Sequence, residues 1–574
     1  MSVALEQIDL RLADLLRRQA LAQAASDQDA ELVAMTAALV SSQRAQGHIC
    51  IRLGDWAGHA LAPEGEDNGA PAAVFPPLDV WRARLESSPL VGDGSRPTPL
   101  VLSQDGLVYL HRYWQAERRV ERHLCELATD EAVLGEGLPA GMFDDEGQAE
   151  AARRALGGRL CLISGGPGTG KTTTVARTLA LLYQAEPGLE VALAAPTGKA
   201  AETLGKRVAE EADGLVAAGL IDADLRKRFP DPAAASTLHR LLGFSPRGML
   251  RPKYRDKRSL AFGVVIVDEA SMVDLLLMDA LLTALPPQGR LILLGDKDQL
   301  TSVEAGSVFG DLCGWSQEEG SPLGGSMCIL TRNYRFDEAS ALGQLATAIR
   351  DRKAGDALAI LDNDEQGEVT RHGRPDDESD IVELLHGEID SYLEAGSAED
   401  ALQRFGRFRI LCDMRSGPYG VYRMNRLVEQ RLADKGMDTS RSWYKGRPLL
   451  VTVNDYNVRL FNGDIGVCWP DPADGRLYAW FGQAGGEAGL RRFPRGRLPT
   501  NETAWAMTVH KAQGSEFERV VLCLAGDDSR VLCRELIYTG ITRARSRVDI
   551  VAEAEVVKAG IEKMAERVSG LGGG

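Results

Sequence analysis

Residues 165–172 read Gly-Gly-Pro-Gly-Thr-Gly-Lys-Thr, a full match to the phosphate-binding pattern G-x-x-x-x-G-K-[ST]. The apolar run 160–164 before it reads as a buried strand, and 173–183 after it as a helix. This stretch must therefore fold as strand, tight loop and helix. In that geometry Gly165, Gly166, Gly168 and Gly170, with Pro167 and Thr169 between them, let backbone N–H groups turn inward around a phosphate, and the helix beginning near Lys171 adds its positive end. Lys171 is placed to pair with β- and γ-phosphates, the Thr172 hydroxyl to hold Mg²⁺, and Thr173 to complete the first helical turn beside the nucleotide. The loop alone says only that a nucleoside triphosphate is gripped.

At 574 residues the chain has room for roughly three to five domains, and 44% apolar residues supply several cores. No apolar run approaches the ~20 residues that span a bilayer, and Glu6, Asp9, Arg11 and Asp14 interrupt the first helix-like stretch. We therefore expect no signal peptide, no anchor and no membrane partner. Nine cysteines are scattered without a C-x-x-C pair, which predicts reduced thiols in a cytoplasmic protein. The net charge of −16 argues against indiscriminate adhesion to nucleic acid, yet charge is segregated by region. Residues 244–260 carry Arg247, Arg251, Lys253, Arg255, Lys257 and Arg258 against the single acid Asp256, and Arg491, Arg492, Arg495 and Arg497 form a second cluster. On charge alone, each is a solvated surface loop.

Residues 1–127 read as a separate α+β front end. Leu5, Ile8, Leu12 and Leu15 recur at helical spacing, as do Leu32, Met35 and Leu39; 48–53 is strand-like, and 99–112 a hairpin turning at Asp105-Gly106. It carries no catalytic constellation, so its expected job is docking onto another protein. From about residue 140 strands alternate with helices, which predicts parallel sheets covered on both faces, with strands at 159–164, 191–195, 263–267, 290–295, 407–412, 518–523 and 548–552. Two α/β domains, 128–345 and 346–574, fit better than one, with an acidic, irregular stretch near 362–400 around their junction. Short strands at 449–453, 458–460 and 466–469, with Asn462-Gly463 as a turn, predict a small all-β insertion over about 440–500.

Two further strand ends carry acids and a sensor. Val264 to Ser271 is an apolar run ending in Asp268, placed to hold Mg²⁺, and Glu269, placed to activate water. Leu293 to Leu300 ends in Gln299, a group able to sense a γ-phosphate.

The ordered set of motifs resembles the superfamily 1 helicases. Ala195-Pro196-Thr197-Gly198-Lys199-Ala200-Ala201 and Thr237-Leu238-His239-Arg240-Leu241-Leu242-Gly243 resemble two DNA-contacting motifs, and Leu330 to Arg335 resembles the motif whose final arginine reaches the γ-phosphate. The run Thr508 to Phe517, with His510 and Glu516, resembles a motif touching both DNA and nucleotide. Tyr538 to Arg545 carries a second arginine finger, Arg543, and Gln148 resembles an adenine-selecting glutamine. Within this superfamily the chain is most similar to the RecD family, the alpha subunits of bacterial exodeoxyribonuclease V (RecBCD), and the segment 110–119 shares that likeness.

The resemblance implies two RecA-like P-loop motor domains, a small α+β N-terminal domain and an SH3-like insertion. ATP lies between the motors, and Arg335 and Arg543 reach it from the second. It further implies 5′-to-3′ translocation on single-stranded DNA at duplex ends during recombinational repair, with RecB-like and RecC-like partners and the nuclease in the RecB-like one. Thr197, Lys199, Thr237, His239, Thr508 and His510 are the implied strand contacts, Asn462 in the insertion a further one, and the basic run after Gly243 falls where a hairpin meets the duplex junction. A stand-alone RecD-like helicase, a subunit whose ATPase merely switches assembly, and an RNA helicase of the same superfamily stay open as alternatives.

Overall fold

The computed structural model describes residues 2–3, 5–63, 73–129, 137–139, 141–244, 259–335, 339–375, 377–455, 457–482, 489–526, 529 and 531–573. The six cations of the basic run at 247–258 lie outside the described residues, and with them the expected hairpin.

Two parallel sheets with helices on both faces form the body of the molecule. In the first, the order is Ser236–Thr237, Val191–Ala195, Val264–Val267, Arg290–Gly295, Leu160–Gly165, Met327–Leu330. Its strands are buried along nearly their whole length, which is why they read as continuous apolar runs rather than alternating ones. In the second, the order is Val369–His372, Ala544–Val551, Phe517–Cys523, Phe408–Cys412, Ala506–Thr508. A five-stranded antiparallel sheet, Leu490–Phe493, Leu477–Gly482, Ile465–Pro470, Pro448–Val451, Asn501–Thr503, occupies the expected insertion, with Gly463 at φ +98° in the turn. Residues 458–460 are not a strand; Leu460 makes only an isolated bridge to Asp455.

The acidic stretch 362–400 is a correction. Far from irregular, it holds the edge strand Val369–His372 and the helices His386–Leu393 and Ala398–Phe405, and Ile381, Val382, Ile389 and Tyr392 are buried in the core of the second sheet. Exposed acids mask the buried positions between them. Strands Met327–Leu330 and Ala506–Thr508 likewise have neighbours on one sheet side only, and were not expected.

The N-terminal region has its own core around Leu16, Leu39, Phe75 and Trp81, with Phe75 and Trp81 stacked at 4.2 Å. It shares a second core with the first sheet, in which Ile49, Tyr109 and Val120 pack with Val265, Leu291 and Phe309. The helix Gln7–Ala22 buries Leu16 and Ala20, while Ile8 and Leu15 of the expected apolar stripe stay exposed. Helix His111–Thr129 fastens to the first sheet through a two-pronged Arg119–Asp279 pair at 2.8 and 2.6 Å.

A C-terminal strap closes the molecule. After helix Ala554–Glu562 of the second sheet, the chain crosses to the N-terminal region. Ile49 N donates to the Val568 carbonyl at 2.9 Å, Val568 N to His48 Nδ1 at 3.0 Å, and Gly570 N to Glu117 Oε1 at 2.9 Å. On the first sheet's side, Ser569 Oγ donates to Asp311 Oδ2 at 2.8 Å and Arg567 to the carbonyls of Glu304 and Gly306. Glycines permit this path. A Cβ on Gly570 would lie 2.2 Å from the Tyr109 hydroxyl, and Gly572, at φ +77°, 2.5 Å from Trp315.

Candidate nucleotide and nucleic-acid site

The loop 165–170 joins strand Leu160–Gly165 to helix Lys171–Ala185. Gly168 and Gly170 are left-handed at φ +86° and +80°, which only glycine adopts at little cost. The surroundings press equally hard: a Cβ on Gly168 would lie 2.4 Å from Arg335 Cβ, one on Gly170 2.5 Å from Gln148 Nε2, and one on Gly165 2.5 Å from Thr169 Oγ1. Thr169 Oγ1 donates to the Gly166 carbonyl at 2.8 Å, Asn333 Nδ2 to the Pro167 carbonyl at 3.0 Å and Tyr334 N to the Gly168 carbonyl at 2.8 Å. Gln148 is buried in the first turn of a helix capped by Asp145. Lys171 Nζ donates to the carbonyls of Gly165 and Gly166, which holds the ammonium over the loop. Thr172 is half-buried in the first turn. Thr173 points elsewhere; its hydroxyl donates to Glu211 Oε1 at 2.8 Å.

The acids converge on the same edge. Asp268 and Glu269 end strand Val264–Val267, and Glu269 sits at φ +53°, an unusual, strained conformation for a residue with a side chain. Burial pushes both carboxyls up; Lys171 opposes this at Asp268, while the Asp268 charge adds to it at Glu269. Asp296, which sequence reasoning passed over although it lies within the quoted run Leu293 to Leu300, is also raised by burial, with Lys171 opposing. Gln299 Nε2 donates to Asp296 Oδ2 at 2.8 Å, and Gln299 Oε1 accepts from Arg543 Nη2 at 3.0 Å. One amide thereby connects an acid of the first sheet to a guanidinium of the second. The next residue repeats the connection: Leu300 N donates to Thr539 Oγ1 at 2.8 Å and its carbonyl accepts from Gln513 Nε2 at 2.9 Å. Thr539 and Gln513 lie inside quoted motifs, so position in the motif was the available signal for them.

Arg335 requires a correction. The resemblance puts it on the second motor, but it follows strand Met327–Leu330, the edge of the first sheet, and its backbone N donates to Asn333 Oδ1 at 2.8 Å. Its guanidinium crosses to the second motor instead, donating to Glu516 Oε1 at 2.5 Å. Arg207 at 3.1 Å and Arg545 at 2.8 Å complete three cations around that carboxylate. Burial alone raises the Glu516 carboxyl, but Arg335, Arg207 and Arg545 outweigh it and bring it to about 2.

Thr197 and Thr237 sit at the ends of neighbouring strands, each with its hydroxyl capping a helix: Ala200 N at 3.2 Å and Arg240 N at 3.3 Å. His239 is exposed, with Phe244 at 5.2 Å, and Asn462 is exposed at the tip of the antiparallel sheet. Thr508 ends the edge strand of the second sheet, and half-buried His510 follows it. Lys199 is not displayed with them. It faces the second sheet, its Nζ donating to Ser515 Oγ at 2.8 Å, because the second position of helix Gly198–Ala217 turns toward that neighbour.

Gly168→Ala is expected to add the roughly 1–2 kcal/mol of a left-handed alanine and to displace Arg335. Thermal unfolding with titration of a fluorescent ATP analogue checks this. Gly219→Ala, at φ +70° with nothing within 4 Å, should lose stability alone and keep nucleotide affinity.

Three family descriptions match the chain: "RecBCD enzyme subunit RecD, N-terminal domain" over residues 2–109, "AAA domain" over residues 148–305, and "UvrD-like helicase C-terminal domain" over residues 503–551. Curated relatives include the RecBCD enzyme subunit RecD of Mycolicibacterium smegmatis, 40% identical over 98% of this chain and 97% of that one. The RecBCD enzyme subunit RecD of Haemophilus influenzae is 32% identical over 94% and 93%. The ATP-dependent RecD2 DNA helicase of Deinococcus radiodurans is 31% identical over 83% of this chain but 58% of its own length. With identity sustained from the N-terminal region through both parallel sheets, this chain belongs to the RecD family of RecBCD enzyme subunits.

Proposed function

We propose that the chain is the ATP-driven, 5′-to-3′ DNA-translocating subunit of a RecBCD-type helicase–nuclease acting at duplex ends. The observation that carries this reading is the bond between Gln299 and Arg543, which joins the phosphate-loop sheet to the second sheet at the triphosphate site. ATP is the substrate: its phosphates lie against Gly165 to Gly170 and Lys171, and its adenine beside Gln148. The donor set suits a magnesium nucleotide. Thr172 and Asp268 would hold Mg²⁺, which supplies charge neutralisation at the β- and γ-phosphates. Glu269, raised by burial, is suited to take the proton of the attacking water. Arg335 and Arg543 neutralise charge developing on the transferred phosphoryl group, and Gln299 couples that event to the second sheet. Thr197, Thr237, His239, Asn462, Thr508 and His510, spread over both sheets and the insertion, contact the strand as the cleft opens and closes.

The partners are RecB-like and RecC-like subunits. Ile8 and Leu15, one heptad apart on the same helix face and 62% and 45% exposed, support docking through the N-terminal region. Nine free thiols support a cytoplasmic setting.

The test compares ATP hydrolysis with single-stranded DNA, single-stranded RNA and neither. DNA is expected to stimulate it strongly, and Lys171→Gln to lower the stimulated rate by at least about 10²-fold. Preference for RNA, or normal unwinding of a 5′-tailed duplex by Lys171→Gln, sinks the reading.

A further inference from the structure

We propose that a cavity of about 520 Å³ between the two parallel sheets and the antiparallel insertion is a second ligand site, taking a nucleoside monophosphate with its phosphate between Lys199 and Arg409. The size falls in the range of small-molecule sites. Its wall is drawn from three parts of the fold: Lys199 and Glu202 from the first sheet's side, Phe405 and Arg409 from the second, Phe461 and Asp464 from the insertion.

Arg409 is 1% exposed, yet among the described residues no carboxylate pairs with it. Its Nη1 and Nη2 donate to the carbonyls of Ala504 and Phe405, its Nε has no partner among the described residues, and its Cζ lies 3.8 Å from the Phe405 ring centre. A buried guanidinium held only by carbonyls and aromatic faces is a cation awaiting an anion. Lys199 approaches from the opposite sheet, bonded to a neutral hydroxyl. Burial, and then the charge of Arg409, pull its ammonium down to about 8, with Asp464, Glu202 and Glu516 opposing. A doubly charged phosphate between them removes that repulsion and gains charge-assisted bonds.

The other walls select the remainder of the ligand. Phe461 offers a face for a planar ring, and Glu202 and Asp464 accept from an exocyclic amino group. The cavity is separate from the triphosphate cleft, since Gln148, Lys171, Arg335 and Arg543 are not in its wall. Thr237 is the one proposed strand contact in its wall; Thr197, His239, Asn462, Thr508 and His510 lie outside it. Glu516 is common to both, lining the cavity while bonded to Arg335, so occupancy reaches the finger that serves ATP.

The phosphate has two possible sources, a free mononucleotide or a residue of a DNA strand, and the proposal commits to the free mononucleotide. Calorimetric titration of the full chain with dCMP, its triphosphate site saturated by a non-hydrolysable ATP analogue, should show one dCMP bound per chain. Arg409→Met and Lys199→Met should each weaken it at least tenfold, with circular dichroism confirming the fold; if Arg409→Met does not fold, Lys199→Met decides. Inorganic phosphate should compete only at far higher concentration. Displacement of dCMP by the ATP analogue, affinity unchanged in the folded variants, or no binding at millimolar dCMP overturns the proposal. So does a cavity that takes an unphosphorylated dC oligonucleotide in preference to dCMP.

Discussion

Replacing Arg543 with alanine lowers the turnover of ATP hydrolysis by about 10³-fold or more, the range measured for arginine fingers in phosphoryl transfer. Arg543 is 4% exposed and held by Gln299 Oε1 at 3.0 Å and the Thr539 carbonyl at 3.1 Å, so its position is set before any ligand arrives. Such fixed charge stabilises a transition state without reorganisation. Truncation also leaves Gln299 Oε1 short of a donor, at about 1–3 kcal/mol. Steady-state kcat and KM, with and without single-stranded DNA, measure the effect. The loss should fall on kcat, and Arg543→Lys should recover little, because an ammonium cannot reproduce the planar fork that spans Gln299 and Thr539. A kcat within tenfold of the parent contradicts the assignment.

Gly570→Leu should release the C-terminal strap. The new side chain would begin 2.2 Å from the Tyr109 hydroxyl, and overpacking of this kind costs about 1–3 kcal/mol. Each strap hydrogen bond lost adds about 1 kcal/mol, so unfolding should begin several degrees earlier. The strap is also pH-dependent. Burial, opposed by Ser569 and Arg567 and reinforced by Glu117, lifts the Asp311 carboxyl to about 7, and burial raises Glu117 as well. A carboxyl raised in the folded state contributes stability that is complete below its unfolded value near 4 and is lost as pH climbs through about 7. Hydrogen exchange at Val568 and Gly570, corrected for intrinsic rates, should therefore show weaker protection at pH 8 than at pH 6. Asp311→Asn should flatten most of that difference. Equal protection at both pH values in the parent chain would remove the carboxyls from the account.

The phosphate loop and the acid strand were legible because their signals are local: apolar runs that must be buried, glycines where the backbone turns left-handed, charges at strand ends. What brings Gln299 to Arg543 is a contact 244 residues apart in sequence, and no periodicity reports it. The motifs supplied the residues but not their facing, which is why Lys199 was expected on the strand track and lies against Ser515. Arg335 was misassigned because the resemblance placed it on the second motor, although the expected boundary at 345 left it in the first α/β domain, where the edge strand Met327–Leu330 puts it. Val369–His372 was hidden by the acids around it. The strap left no local signal, because what holds it is a set of contacts to His48, Ile49, Glu117 and Asp311, far away in sequence.

The central claim is that a triphosphate site shared between two sheets drives movement along one DNA strand in one direction. Unwinding of otherwise identical duplexes carrying a 5′ or a 3′ single-stranded tail, by the parent chain and by Arg543→Ala, tests it most directly. The account predicts ATP-dependent unwinding of the 5′-tailed duplex by the parent chain alone, and little of the 3′-tailed one by either. Equal unwinding of both duplexes, or unwinding that survives Arg543→Ala, would contradict it.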